Sequence, residues 1–237
     1  VITGYDNLLN RWLNFSFCDN SIYYKVGSID LKFDIDRNVI VKNTKEAGDI
    51  WNRLIGRNLF IYDENADLEI NLVYDQRQSV LTEISQKKSD IDRKKDNLVL
   101  SVEEFEQKRR ALEVKLDELN QEIEYWNQEG GAPKDEYEKL INKQDALRDE
   151  IADINSMAEK LNRTSEKIND DIDYVNKKVE KFNNLLSVLP EEGVYMAGPH
   201  KIEIYIYDNS QSFTHTVAHE LGHALGLGHV DVEDSIM

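Results

Sequence analysis

The sequence predicts an α+β fold, a domain of mixed twisted sheet and helices interrupted by a long antiparallel α-helical hairpin of coiled-coil type. Three observations predict it. Stretches rich in β-branched and aromatic residues lie near both ends of the chain, a seven-residue apolar repeat holds between them, and that repeat breaks only once, at Glu129-Gly130-Gly131-Ala132-Pro133. The boundaries read 1–76 for the first part of the domain, 77–189 for the hairpin with its turn near 129–134, and 190–237 for the second part.

With 237 residues the chain is long enough to bury a real core. Its formal net charge is -17, which argues against non-specific nucleic-acid binding, because that needs a basic face. Cys18 is the single cysteine, so an intrachain disulfide and a cysteine-based zinc site are both excluded. No stretch approaches the roughly 18 uninterrupted apolar residues of a membrane span. The first residue is Val1 rather than Met, so the expectation is that an upstream segment, such as an export signal, has been removed.

In the first part, the runs 23–33 and 59–62 read as strands, and Leu68-Glu69-Ile70-Asn71-Leu72 alternates as a strand with one buried face does. Between them, Asn43 or Thr44 is placed to cap a helix with an apolar side of Ala47, Ile50, Trp51 and Leu54, ended by Gly56. In the hairpin, the first seam runs from Leu81, Ile84 and Ile91 through Val102, Leu112, Leu116, Leu119 and Ile123 to Trp126, weakened by Lys88, Lys95 and Arg109. The second runs from Tyr137 and Leu140 through Leu147, Ile151, Ile154, Leu161, Ile168 and Val175 to Leu189, with Gln144 and Ser165 in the same row. Arms of about 50 residues would each reach roughly 75 Å at ~1.5 Å per residue. In the last part, Ile202-Glu203-Ile204-Tyr205-Ile206-Tyr207 alternates as a strand, and a helix pattern follows Asp208-Asn209-Ser210.

Four of the five histidines fall in the closing stretch HTVAHELGHALGLGHVDVEDSIM. His219 and His223, four residues apart on the predicted helix, project from one face and suit two ligands of a single ion. Gly226 is placed to end the helix, letting the chain turn back and bring His229 to the same ion. Three neutral imidazoles with a fourth position open describe one catalytic Zn2+, whereas a structural site would be closed by a fourth side chain. Glu220, beside the first ligand, is placed as general base for the zinc-activated water and as proton donor to the departing amine.

The run Ala218-His219-Glu220-Leu221-Gly222-His223-Ala224-Leu225-Gly226-Leu227-Gly228-His229 resembles the metzincin clan of zinc endopeptidases, most closely its matrixin branch in bacterial form. The resemblance implies that Met237, in Ser235-Ile236-Met237, is the Met-turn residue, an apolar floor under the zinc. It extends to 26–33, the Trp51 helix and 68–74, which are similar to the opening of that catalytic domain, so the hairpin looks like an insertion. It also implies that Ile202, Ile204 and Ile206 form the edge strand that pairs with an extended peptide substrate, an ordinary core strand being the other reading. Residue 230 is Val where animal matrixins usually carry Ser, and the family continues beyond the Met-turn into a loop and final helix. The catalytic domain is therefore expected to be truncated at Met237. Family analogy places the protein outside the cell or at its surface.

The remaining candidates have plainer readings beside the functional ones. Cys18 is read as a part-buried thiol in preference to an inhibitory zinc ligand. His215, one turn before His219, either contacts substrate or orients a ligand, or is a solvated or capping histidine. His200 reads as a loop residue. Asp231, Glu233 and Asp234 offer carboxylates to Ca2+ or to basic peptides, although a solvated loop accounts for them. The leading function is a zinc-dependent endopeptidase acting on peptide or protein, with a hairpin that spaces the protease or docks a protein partner. The alternative is a coiled-coil interaction or scaffold protein whose zinc site is structural or vestigial. Glu220 favours the first, since a structural site needs no base.

Overall fold

The computed structural model describes residues 21–230 and 235–237. Cys18, Asp231, Glu233 and Asp234 lie outside the described residues. Two compact units result, one of the chain up to Thr82 together with Glu180–Met237, the other of Glu83–Val179.

In the first unit, strand β1 (Ile22–Ile29) buries Tyr24 and Val26 and ends four residues short of the expected stretch. There the Asp30 carboxylate accepts from the Lys32 amide at 3.0 Å, which turns the backbone into a single 3-10 turn at Leu31–Phe33. Helix α1 (Arg37–Ile55) starts earlier than the sequence suggested. Asp36 is its cap, accepting from the Asn38 amide at 2.8 Å, whereas Asn43 and Thr44 lie inside the helix and are buried. Tertiary burial overrides their local preference for a cap. Ala47 and Trp51 face the core as expected and Gly56 ends the helix at φ 73°, but Leu54 is 66% exposed.

Strands β2 (Phe60–Tyr62), β3 (Leu68–Leu72), β4 (Gly193–Met196) and β5 (Lys201–Ile204) complete a five-stranded mixed sheet of order β2-β1-β3-β5-β4. All neighbours are parallel except β4 and β5. The registers Val26↔Ile70 and Ile70↔Ile202 align a row of buried aliphatic side chains across three strands. Burial of each is worth about 1.5–3 kcal/mol. The expectation that Ile202, Ile204 and Ile206 form a substrate-facing edge is corrected here. β5 lies between β3 and β4, Ile202 and Ile204 are fully buried, and Ile206, also buried, follows the strand. Among the described residues the edge on this side belongs to β4.

Helix α4 (Ser210–Ala224) is capped by Asn209, whose side chain accepts from the Gln211 and Ser212 amides, both at 3.0 Å. Its apolar face, Phe213, Val217, Ala218 and Leu221, packs with Ile40, Ala47 and Trp51 of α1 and the buried face of the sheet in one core. The Trp51 indole donates to the Ala218 carbonyl at 2.7 Å, fixing α4 one residue before His219.

Helices α2 (Gln76–Gln128) and α3 (Lys134–Val188) are joined by a short turn, and their parts between Glu83 and Val179 make up the second unit. Leu112, Leu119 and Leu147 cluster with Leu116, Ile123, Leu140 and Ile154. The ion pairs Lys94–Asp171 (2.7 Å), Lys115–Glu150 (2.6 Å) and Lys143–Glu122 (2.5 Å) step in opposite directions along the two helices, so their packing is antiparallel. Seam residues Val102, Tyr137 and Ile151 are each more than a third exposed, because two helices bury only a narrow stripe between them.

Candidate metal centre

The α4 sequence places His219 and His223 one turn apart on the face opposite the buried stripe. The helix ends in a paired closure, with Gly226 N–H donating to the His223 carbonyl (2.9 Å) and Leu227 N–H to the Gly222 carbonyl (3.1 Å). Gly226 sits at φ 80°, a conformation that costs other residues dearly, and sends the chain back toward the helix. His229 then reaches both histidines: its ring centroid lies 5.1 Å from that of His219 and 4.8 Å from that of His223.

Nε2 of His219 is 3.1 Å from Nε2 of His223 and 3.1 Å from Nε2 of His229. The other ring nitrogens of His219 and His223 face carbonyls. His223 Nδ1 is 2.9 Å from the Leu227 oxygen, and His219 Nδ1 bonds the Ile236 oxygen. A carbonyl only accepts, so Nδ1 carries the hydrogen in both rings, and in the neutral rings that metal binding requires both Nε2 atoms present lone pairs. Two lone pairs at 3.1 Å with no proton between them repel, and a cation relieves that. Tetrahedral zinc with Zn–N distances of about 2.0–2.1 Å would hold ligand atoms roughly 3.3 Å apart. The residues present therefore fit zinc, and among the described residues they are the group able to hold a metal.

A cleft of about 470 Å³ opens over these rings, walled on one side by 190–195 and on the other by His215, Thr216, Glu220 and the three histidines. Glu220 is only 4% exposed. Burial pushes its carboxyl above the ordinary carboxylate range, against the lowering pull of His219, His223 and the Tyr195 backbone N–H. The fit on β4 is close: a β-carbon on Gly193 would lie 2.9 Å from Glu220 Cγ. His215 is exposed and lines the cleft, whereas His200 lies in the β4–β5 turn at φ 51° and does not.

Met237 lies beneath the helix, its thioether against Gly222 and Trp51, and its carbonyl accepts from Val230 N–H at 3.3 Å. Strand β4, the Tyr195 amide and the Ile236 and Leu227 carbonyls are contributions that sequence reasoning missed. Gly193-Val194-Tyr195-Met196 carried a faint signal as a short apolar run between Glu-Glu and Gly-Pro. The carbonyls carried none, since every residue has one.

No curated protein and no solved structure matches the chain. The family model described as matrixin matches residues 17–237, a span that takes in both the histidine helix and the sheet that supports it. The chain belongs to the matrixin family, whose members are zinc metalloproteases.

Proposed function

We propose that this chain is a zinc-dependent endopeptidase in which His219, His223 and His229 hold the metal and Glu220 is the general base. The convergence of three Nε2 atoms, two of them fixed by carbonyls on the far side of the ring, is the observation that carries the reading. Zinc bound there supplies Lewis acidity, which polarises a carbonyl and lets water act as nucleophile near neutral pH. Glu220 accepts the proton of the attacking water and returns it to the amine that leaves, a transfer helped by burial, which raises its carboxyl above the ordinary range. Met237 packs as the floor of the site, and Gly226 shapes the return of the chain to His229.

The open edge of β4 is the place for an extended peptide to add as a further strand, in the role the sequence had suggested for β5. Its backbone groups then hold the scissile bond beside Glu220. Residues 77–189 form an antiparallel coiled-coil hairpin inserted into the catalytic domain, suited to spacing the protease or docking a protein. Family analogy supports action outside the cell.

Zinc analysis and fluorogenic-peptide cleavage by the wild type and Glu220→Ala, each with and without chelator, test the reading. The expected result is one zinc per chain and cleavage abolished by either treatment. Zinc at one per chain without Glu220-dependent cleavage of any peptide would make the site structural.

A further inference from the structure

Arg77 lies in the first turn of α2 with its side chain 5% exposed. Its guanidinium bonds the Asp75 carboxylate from Nε at 2.8 Å and pairs with it from Nη2 at 2.6 Å. Its centre stands 4.4 Å from the centroid of the Tyr205 ring. The remaining nitrogen, Nη1, donates to the Leu189 carbonyl at 3.2 Å and also to the Glu191 carbonyl. Asp75 is held in turn, accepting from the Arg77 amide at 2.8 Å as the cap of the helix.

The two carbonyls belong to the segment that becomes the cleft wall. Immediately beyond it, Tyr205 N–H donates to the Glu192 carbonyl at 2.8 Å and Thr216 Oγ1 donates to Glu192 Oε2 at 2.9 Å. Gly193 then seats against Glu220. The position of the wall relative to the metal helix is thus set at its start by a side chain more than 110 residues away in sequence. A planar guanidinium with five donors is the side chain able to bond a carboxylate, two carbonyls and an aromatic face together.

We propose that Arg77 is a positioning residue for proteolysis, fixing the wall at 191–195 and through it the affinity for substrate. The inference rests on the protease reading above. Gln78 is the matched control. It is equally buried at the same junction, but its amide bonds both backbone groups of Tyr207, at 2.7 and 3.2 Å, and no wall residue.

Arg77→Gln, Arg77→Lys and Gln78→Ala, each made in the full chain, provide the test. Arg77→Gln is expected to raise KM about tenfold with little change in kcat, a split diagnostic of lost binding rather than lost chemistry. It should keep one zinc per chain and speed hydrogen exchange at the Tyr205 and β4 amides. Arg77→Lys keeps the charge but not the fork, so it should fall between. Gln78→Ala should lower stability without moving KM or β4 exchange. Unchanged KM and exchange in a folded Arg77 variant, or an equal rise of KM in Gln78→Ala, would overturn the proposal. If Arg77→Gln does not fold, Arg77→Lys carries the same comparison. Should the wild type cleave nothing, the protease reading fails, and the exchange comparison still decides whether Arg77 holds the wall.

Discussion

The Met237 thioether occupies the space that a β-carbon on Gly222 would fill, and Trp51 Cζ2 stands 2.9 Å from the same point. The residue immediately before His223 is therefore glycine for a steric reason. Met237 is also joined to Ile236, whose carbonyl orients His219. Gly222→Ala should push the methionine away and drag that carbonyl with it. Loss of such an orienting partner costs about 10–100-fold in metal affinity. The overpacking itself costs about 1–3 kcal/mol. Zinc competition and thermal melting measure the two effects, and Met237→Leu, which roughly conserves volume, should cost under about 1.5 kcal/mol.

Zinc should also stabilise the fold, because its ligands come from the end of α4 and from the chain beyond Gly226, which otherwise face each other as lone pairs. At a free zinc concentration of 100 Kd the expected gain is about 2.7 kcal/mol, read as a rise in Tm that chelator reverses. His229→Ala should weaken that gain while leaving the apo Tm nearly unchanged, since His229 is exposed. An equal gain in wild type and His229→Ala would mean that the third ligand is not His229.

Much of this site was legible in the sequence, and the reason is physical. Side chains that could share one ion must recur at particular spacings, so the approach of His219, His223 and His229 and the turn at Gly226 could be read from helix periodicity and a stop signal. The two long helices were legible for a similar reason, since the apolar repeat and the Gly130-Gly131 break are local features. What stayed hidden depends on pairing between distant segments. The strand alternation at Ile202 and Ile204 identifies buried faces but cannot tell an edge from an interior strand, and only the arrival of β4 puts β5 inside. Likewise Asn43 and Thr44 look like caps until packing buries them.

Tyr205 gives a pH prediction on the alkaline side. Burial first, and then the hydrogen bond its phenol donates to Glu203 at 2.9 Å, push its pKa up to about 12, against the lowering pull of Arg77. The folded value lies above the ordinary value of about 10, so the fold favours the neutral phenol. That contribution to stability is fully present below pH ~10 and is lost as pH rises toward 12. Ultraviolet difference titration of wild type against Tyr205→Phe should show one phenol ionising late. If the subtracted tyrosine titrates near pH 10, the Glu203–Tyr205 bond is not maintained in solution.

The hairpin prediction follows from where the metal unit keeps its contacts. Asp75, Arg77 and Gln78 hold 189–191 and Tyr207 before the second unit begins at Glu83, and 180–237 rejoins the metal unit after Val179. Neighbouring packed helices run about 8–10 Å apart, a gap that a few Gly and Ser residues span easily. Deleting 83–179 and joining Thr82 to Glu180 through such a linker should therefore leave a folded domain with one zinc per chain. Cleavage of a short fluorogenic peptide should persist within a factor of a few, because the cleft residues at 190–195 and on α4 are all retained. Cleavage of a large protein substrate is the quantity free to change if the hairpin spaces or docks. A deletion variant that binds no zinc and melts without cooperativity would mean that the helices are part of the domain core rather than an insertion into it.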